Sequence, residues 1–311
     1  MRTQVLVTIL GVIGAAVLAM ALLNAGPQHK DLGLKLNPAI AAFNNWRVKQ
    51  NKLYKSPEEL NYRRSVFAKN YYKVLDLNRK HSHKSALNKF ADLTEEEFVS
   101  KYTGVKVPNV ARTNVVAPKT DVKRADTVNW VTAGAVNAVK DQGQCGSCWA
   151  FSATSAIESW YKISGKALLN LGEQQMVDCG GSTGNYGCNG GWMDWAFQYI
   201  INAGGQELTK DYPYTAMDGS CAFDAGKVAV SFKNYKDVPA NKCDSLLDSI
   251  AQQPVSVAIA ANAIMFYDSG VFSTTTCGTQ INHGVLAVGY GNDASAKKDY
   301  YLVRNSWGAS W

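Results

Sequence analysis

Three side chains of matched chemistry stand far apart in this chain: Cys148, His283 and Asn305. The imidazole follows the thiol by 135 residues and the amide follows it by 157. A thiol, an imidazole and a side-chain amide are the parts of a hydrolase with a cysteine nucleophile. Only a fold with many long-range contacts can bring them together. The local contexts are specific. Gln142-Gly143-Gln144-Cys145-Gly146-Ser147-Cys148-Trp149-Ala150-Phe151 puts the cysteine at the start of an apolar helix, with a glutamine six residues earlier. Asn282-His283-Gly284 and Arg304-Asn305-Ser306-Trp307 carry the other two groups.

A free cysteine is mostly protonated near neutral pH, and the thiolate is the attacking species. The positive end of the helix begun by Trp149-Ala150-Phe151 and a protonated His283 would both lower the pKa of Cys148. Asn305 would accept a hydrogen bond from the imidazole and fix its orientation. Gln142 would donate its side-chain amide to an oxyanion, alongside the backbone N–H of Cys148. Trp307 would cover the His–Asn pair and exclude water. Taken singly, each residue has an ordinary structural reading, and a lone cysteine in a helix is usually inert. Cys145-x-x-Cys148 also fits a thioredoxin-like disulfide exchanger, but that motif needs a βαβ setting, and no strand–helix–strand pattern surrounds it. Four elements in this order favour the hydrolase.

These motifs resemble the papain family of cysteine proteases, nearest to its cathepsin L-like members, from about residue 40 to residue 311. The resemblance implies an α+β, papain-like two-lobed fold: a helical lobe, a β-barrel-like lobe, the active site in the cleft between, and a helical inhibitory propeptide ahead of both. It implies peptide-bond hydrolysis through an acyl-enzyme, with Cys148 as nucleophile, His283 as general base and acid, Asn305 as orienting residue and Gln142 as oxyanion donor. No cofactor and no metal are expected. Trp130 matches a tryptophan near the start of mature members, while Asn129 departs from the aspartate common beside it. By the same resemblance, Gly191 supplies main-chain hydrogen bonds to substrate. Trp192, Met193, Ala258, Ile281, Asn282, Gly284 and Trp307 line the substrate subsites. Met193, Ala258 and Ile281 would make the pocket for the second residue before the scissile bond apolar, favouring Leu, Phe or Val. No inserted His-His loop blocks the cleft, so an endopeptidase is expected. The family pairing carries onto Cys145–Cys188 and Cys179–Cys221. Cys277 matches a cysteine whose partner lies near the end of family members, and a Cys243–Cys277 bridge stays open. The chain stops at Trp311 inside a motif, and the resemblance implies a further stretch that completes the barrel.

Seven cysteines suit an oxidising compartment. Residues 5–23 are uncharged and mostly apolar, Arg2 precedes them, and Ala19-Met20-Ala21 and Ala25 offer cleavage points. Residues 1–25 therefore read as a signal peptide, with an uncleaved anchor as the alternative. The destination is the secretory pathway, then a lysosome or other acidic vacuole, or secretion. No Asn-x-Ser/Thr sequon is present.

The net charge of +7 hides a split. Residues 1–125 carry 21 Lys and Arg against 9 Asp and Glu, whereas residues 126–311 carry 11 against 16. The basic excess lies in one segment, so its expected partner is the acidic remainder of the same molecule rather than nucleic acid. Within it, Glu59, Arg63, Phe67, Asn70, Val74 and Asn78 recur at helical spacing. They resemble the interrupted motif of cathepsin L-type propeptides, with Val74 in place of isoleucine. Ala86-x-Asn88-x-Phe90-x-Asp92 resembles the second propeptide motif, with Ala86 in place of glycine.

The expected organisation is a propeptide over 26–124 and a peptidase domain over 125–311. An exposed linker at Val115–Asp121 and a mature start near Arg124–Asp126 are expected between them. Opposite charges would hold the prosegment over the cleft, and acid would loosen it. The expected partners are peptide and protein substrates and the chain's own propeptide. The product is expected to be a monomer without stable membrane association once the signal is removed. The competing reading is an inactive protease-like protein whose prosegment inhibits other cysteine proteases. Helices are expected over Cys148–Ser164, Leu171–Cys179 and Trp192–Ala203. Strands are expected over Pro254–Ala261, Gly284–Tyr290 and Tyr300–Val303.

Overall fold

The computed structural model describes residues 37–109, 114–115, 124–275 and 277–311. The expected signal peptide and most of the expected linker lie outside the described residues. The chain divides into two units, one ending at Asn51 and one spanning Lys52–Trp311. In the first, helix α1 (Pro38–Lys49) is capped by Asn37, whose side chain accepts from the Ala39 N–H at 3.0 Å.

The second unit opens with the prosegment helix α2 (Pro57–Lys80). Ser56 caps it and Pro57 takes the first helical position. Glu58 and Glu59 sit at its positive end, Arg79 and Lys80 at its negative end. Phe67 and Val74 are buried along one face, as expected. The motif's polar residues hold the backbone that follows, where irregular chain would otherwise leave carbonyls unpaired. Arg63 donates to the carbonyl of Asp92 at 3.1 Å. Asn70 donates to the carbonyls of Ala91 and Leu93 at 2.9 and 2.8 Å. Asn78 exchanges two hydrogen bonds with the backbone of Ser85. The first motif thus builds the second, ahead of a two-residue strand β1 (Lys84–Ser85) and helix α3 (Glu95–Tyr102). A reciprocal capping box between Thr94 and Glu97 starts α3.

The peptidase part runs β2 (Val128–Asn129), α4 (Cys148–Ile163), α5 (Glu173–Cys179) and α6 (Met193–Ala203). It continues through β3 (Gln206–Glu207), β4 (Val228–Val230), α7 (Cys243–Gln252), β5 (Val255–Ile259) and β6 (Tyr267–Ser269). It ends with β7 (His283–Asp293) and β8 (Lys298–Arg304). The helical side packs around α4: Trp149, Ala150, Ala153 and Ile157 share one core with Met176 and Val177 of α5 and Ala196 and Ile200 of α6. Lys140 bridges Glu158 and Glu173 at 2.9 and 2.5 Å beneath that core.

On the other side, β7 is the central strand of an antiparallel sheet and pairs with β2, β5 and β8. Its apolar run follows from burial on both faces. Leu286 and Val288 cluster with Ala156 of α4, while Ala287 and Tyr290 cluster with Ile250 of α7. Gly289 lets β2 approach, since a Cβ there would lie 2.1 Å from the Val128 carbonyl oxygen. The described residues form a four-stranded sheet here, the β lobe of the expected α+β fold. Helix α7 was not anticipated. The short strand β6 pairs with β1 of the prosegment, Lys84 opposite Ser269 and Ser85 opposite Tyr267.

The bridges Cys145–Cys188 and Cys179–Cys221 form as the resemblance implied. Cys243 and Cys277 are both free and exposed, so the bridge left open between them is absent.

Candidate active site

Cys148 is the first residue of α4, and His283 is the first residue of β7. The two elements meet here: a Cβ built on Gly284, the next residue of β7, would lie 3.2 Å from the Cys148 carbonyl oxygen. His283 bonds through Nε2 to Asn305 Oδ1 at 2.7 Å. Its other nitrogen, Nδ1, is buried without a hydrogen-bond partner, which leaves it for a reacting group. Trp307 stacks on the imidazole with ring centroids 4.4 Å apart. The structure therefore brings Cys148, His283, Asn305 and Trp307 together, with Asn305 half-buried and the other three fully buried.

Gln142 is fully buried and firmly held. Its backbone N–H bonds the Ser306 carbonyl at 2.9 Å, and its Oε1 accepts from Ser306 Oγ at 2.7 Å. That second bond orients the amide and turns Nε2 the other way. Nε2 donates to the Tyr102 carbonyl at 3.2 Å and to the Cys145 carbonyl at 3.0 Å. Trp307 Nε1 donates to the same Tyr102 carbonyl at 3.0 Å. The expected oxyanion donor thus already carries a peptide carbonyl, and that carbonyl belongs to the prosegment.

The prosegment then runs on along the peptidase backbone. The N–H groups of Gly104 and Val105 both donate to the Asn282 carbonyl at 2.9 Å. The Gly191 N–H donates to the Gly104 carbonyl, and the Lys106 N–H donates to the Gly191 carbonyl, both at 2.8 Å. Val105 and Gly191 form a parallel bridge. Gly191 therefore makes main-chain bonds to the prosegment strand, whereas the resemblance implied such bonds to substrate. Val105 joins the apolar cluster of Trp192 and Met193, with Ala258 packed against it. Ile281 stays 43% exposed, at a rim rather than in the cluster. Gly104 has to be glycine, because a Cβ would fall 2.0 Å from the Gly146 carbonyl oxygen.

Electrostatics overturn one expectation. The Cys148 thiol is not lowered in this form but pushed up to about 11. Burial is the main cause, and it outweighs the backbone N–H groups of Gly284, Trp149, Gly104 and Cys148 that favour the thiolate. Burial likewise brings His283 down to about 4, against the opposing bond from Asn305. With the prosegment in place, both groups are neutral across ordinary pH.

The charge-split expectation is also redrawn. Lys89 reaches from the prosegment to Asp141 of the peptidase at 2.8 Å. The pairs Arg63–Glu97, Lys52–Asp92 and Lys73–Glu95 lie within the prosegment itself. Aromatic packing joins the two parts as well: Phe90 sits within 5.6 Å of Trp307, and Phe98 within 5.1 Å, between ring centroids.

A family model described as papain family cysteine protease matches residues 124–311. The chain belongs to the papain family of cysteine proteases. A second model, the cathepsin propeptide inhibitor domain, matches residues 43–98, so this papain-family chain carries its own inhibitory prosegment. It is 43% identical to cysteine proteinase RD21A of Arabidopsis thaliana over 88% of this chain and 60% of that protein. Among solved structures it is similar to the recombinant stem bromelain precursor, with a TM-score of 0.80, 38% identity and coverage of 88% and 89%. Digestive procathepsin L 3 of Tenebrio molitor gives a TM-score of 0.80, 38% identity and coverage of 88% and 90%.

Sequence reasoning missed Tyr102, Gly104, Ser306 and Tyr214, which contact or brace the site; Tyr214 donates its hydroxyl to the Gln142 carbonyl at 2.7 Å. Ser306 lies beside Asn305 and was within reach of inspection. The other three gave no signal, because their roles depend on where distant segments land.

Proposed function

We propose that this papain-family chain is the precursor of a cysteine endopeptidase in which Cys148 attacks a peptide carbonyl. His283 takes the thiol proton at Nδ1 and later delivers it to the leaving amine. Asn305 holds the imidazole through Nε2, and Trp307 shields that pair from water. Gln142 Nε2 and the Cys148 N–H receive the oxyanion. The observation that carries this reading is the Tyr102 carbonyl on Gln142 Nε2 at 3.2 Å, a peptide group seated where a substrate carbonyl would be polarised.

The apolar cluster that takes Val105 supports a preference for Leu, Phe or Val at the second residue before the scissile bond. Burying such a side chain contributes about 1.5–3 kcal/mol. A substrate with Arg-Arg cleaved faster than one with Phe-Arg would overturn that preference. The mature chain would begin near Arg124, whose guanidinium pairs with Asp244 at 3.0 Å and Asp248 at 3.4 Å. The two disulfides support passage through the secretory pathway, to an acidic vacuole or to the outside.

Acid treatment of the precursor followed by labelling with a thiol-directed epoxide tests the assignment. Labelling and peptide hydrolysis that vanish together in Cys148→Ala are the expected result. Hydrolysis that survives in that variant would sink it.

A further inference from the structure

Two side-chain amides beside the His283 imidazole orient one another. The Ala261 N–H donates to Asn282 Oδ1 at 2.9 Å, and a backbone N–H can only donate, so that oxygen is fixed. Asn282 Nδ2 therefore faces the other way and donates to Asn262 Oδ1 at 2.7 Å. This second bond fixes Asn262 in turn and makes its Nδ2 an outward donor. The group that receives it is Glu95 Oε1 of the prosegment, at 2.8 Å. Lys73, the cation paired with Glu95 at 3.2 Å, also belongs to the prosegment. Removal of the prosegment takes carboxylate and cation away together. The Asn262 donor then stands oriented, without its acceptor.

The register of β5 against β7 gives the side of the imidazole on which this donor lies. Ala258, packed against the apolar cluster that takes Val105, stands opposite Gly284, and Ile259 stands opposite His283. The chain then continues past the imidazole to Asn262, which is tied to Asn282 on the other flank of His283. The apolar pocket serves the acyl side of the scissile bond, so Asn262 lies toward the side that leaves with the amine. We propose that Asn262 is a specificity-determining residue: in the processed enzyme its Nδ2 receives an acidic side chain of the substrate on the leaving-group side of the scissile bond, in the seat that Glu95 fills in the precursor. A carboxylate accepts this bond more strongly than a neutral amide oxygen, and a lysine, with donors only, cannot accept it. The inference rests on the assignment of Cys148 as nucleophile and His283 as base.

The test uses the full chain after acid processing, with active sites counted by epoxide titration. Internally quenched peptides keep Phe as the second residue before the scissile bond and carry Glu, Gln or Lys at each of the first three positions after it. Wild type, Asn262→Asp and Asn262→Ala are compared at pH 6 by the ratio of kcat/KM for the Glu and Lys peptides, which cancels any general loss of activity. Asn262→Asp is isosteric: it keeps an oxygen for Asn282 and turns the outward donor into an acceptor. Wild type should favour Glu over Lys about tenfold at one position, with Gln between. Asn262→Ala should bring the ratio near one, and Asn262→Asp should invert it. A wild-type ratio of one at all three positions overturns the inference, and so does a ratio that Asn262→Asp leaves unchanged. In either case, hydrolysis that vanishes in Cys148→Ala leaves the nucleophile assignment standing, whereas hydrolysis that survives in Cys148→Ala removes both.

Discussion

Arg63 reaches from the second turn of α2 to Glu97 at the start of α3, Nη1 to Oε2 at 2.7 Å. The same nitrogen donates to the Asp92 carbonyl, so one guanidinium locks three parts of the prosegment together. Burial would raise the Glu97 pKa, but the bonds from Arg63 and the Thr94 N–H, with the charge of Lys101, outweigh it and hold the carboxyl below its ordinary 4.5.

Acid activation follows with a definite sign. A carboxylate whose folded pKa is depressed contributes stability above its unfolded value and loses it as pH falls through the folded one. Glu95 behaves alike: burial opposes, and Asn262 and Lys73 prevail. The window therefore opens below pH 4.5. Conversion of the precursor, followed on gels at pH 7.5, 5.5 and 4.0, should accelerate toward the lowest value. Glu97→Gln should convert faster at pH 7.5 and show a flatter profile, the pair contributing about 1 kcal/mol or less at this partly exposed position. Equal conversion rates for wild type at all three pH values would contradict this.

The reactivity of Cys148 should depend on the prosegment. With the thiol near 11 and His283 near 4, the precursor holds no ion pair between pH 5 and 9. Iodoacetamide should therefore react slowly with the precursor throughout that range. Once the prosegment is removed, solvent reaches both groups, the burial penalty shrinks and alkylation should rise steeply at neutral pH. The measurement is the rate of Cys148 modification by mass spectrometry before and after processing. Equal rates in the two forms would count against burial as the cause.

Asn305 is expected to act on rate more than on stability. Its Oδ1 fixes His283 at 2.7 Å, while Trp307 keeps its own stacking contact with the ring. Asn305→Ala should lower kcat about tenfold to a hundredfold, the share of a positioned base that can still find its orientation part of the time. KM should change little. A fall in KM-limited binding with kcat intact would move Asn305 out of the orienting role.

The legible parts of this structure were those with local signals. The spacing Glu59 to Asn78 gave α2 and the buried positions of Phe67 and Val74, because a helical face repeats within a few residues. The four expected reactive residues carried motif-level signals and were brought together. What escaped depended on tertiary placement. The rise of the Cys148 pKa comes from covering chain that no motif near Cys148 encodes. The length of β7 was underestimated, because its ends are made regular only by pairing with distant strands, His283 with Ile259 of β5 and Gly291, Asn292 and Asp293 with β8. Helix α7 was missed since its apolar positions, Leu246, Leu247 and Ile250, acquire meaning only against Ala287 and Tyr290.

The last expectation sets apolar contact against charge at the prosegment interface. Phe90 is fully buried, with ring centroids 5.1 Å from Phe98, 4.6 Å from Tyr102 and 5.6 Å from Trp307. Deleting such a ring costs about 3–5 kcal/mol, divided between the prosegment's own fold and its hold on Trp307. The Lys89–Asp141 pair has a half-exposed carboxylate and is worth about 1 kcal/mol or less. Phe90→Ala should therefore release activity at pH 7.5 at least about a hundredfold above wild-type precursor, while Lys89→Ala should release about fivefold at most. For the same reason 1 M salt, which screens surface pairs, should leave the wild-type precursor inhibited. Hydrolysis of a fluorogenic peptide by freshly purified precursor at pH 7.5 separates the cases. If Lys89→Ala or salt alone releases as much activity as Phe90→Ala, charge rather than the aromatic cluster holds the prosegment in place.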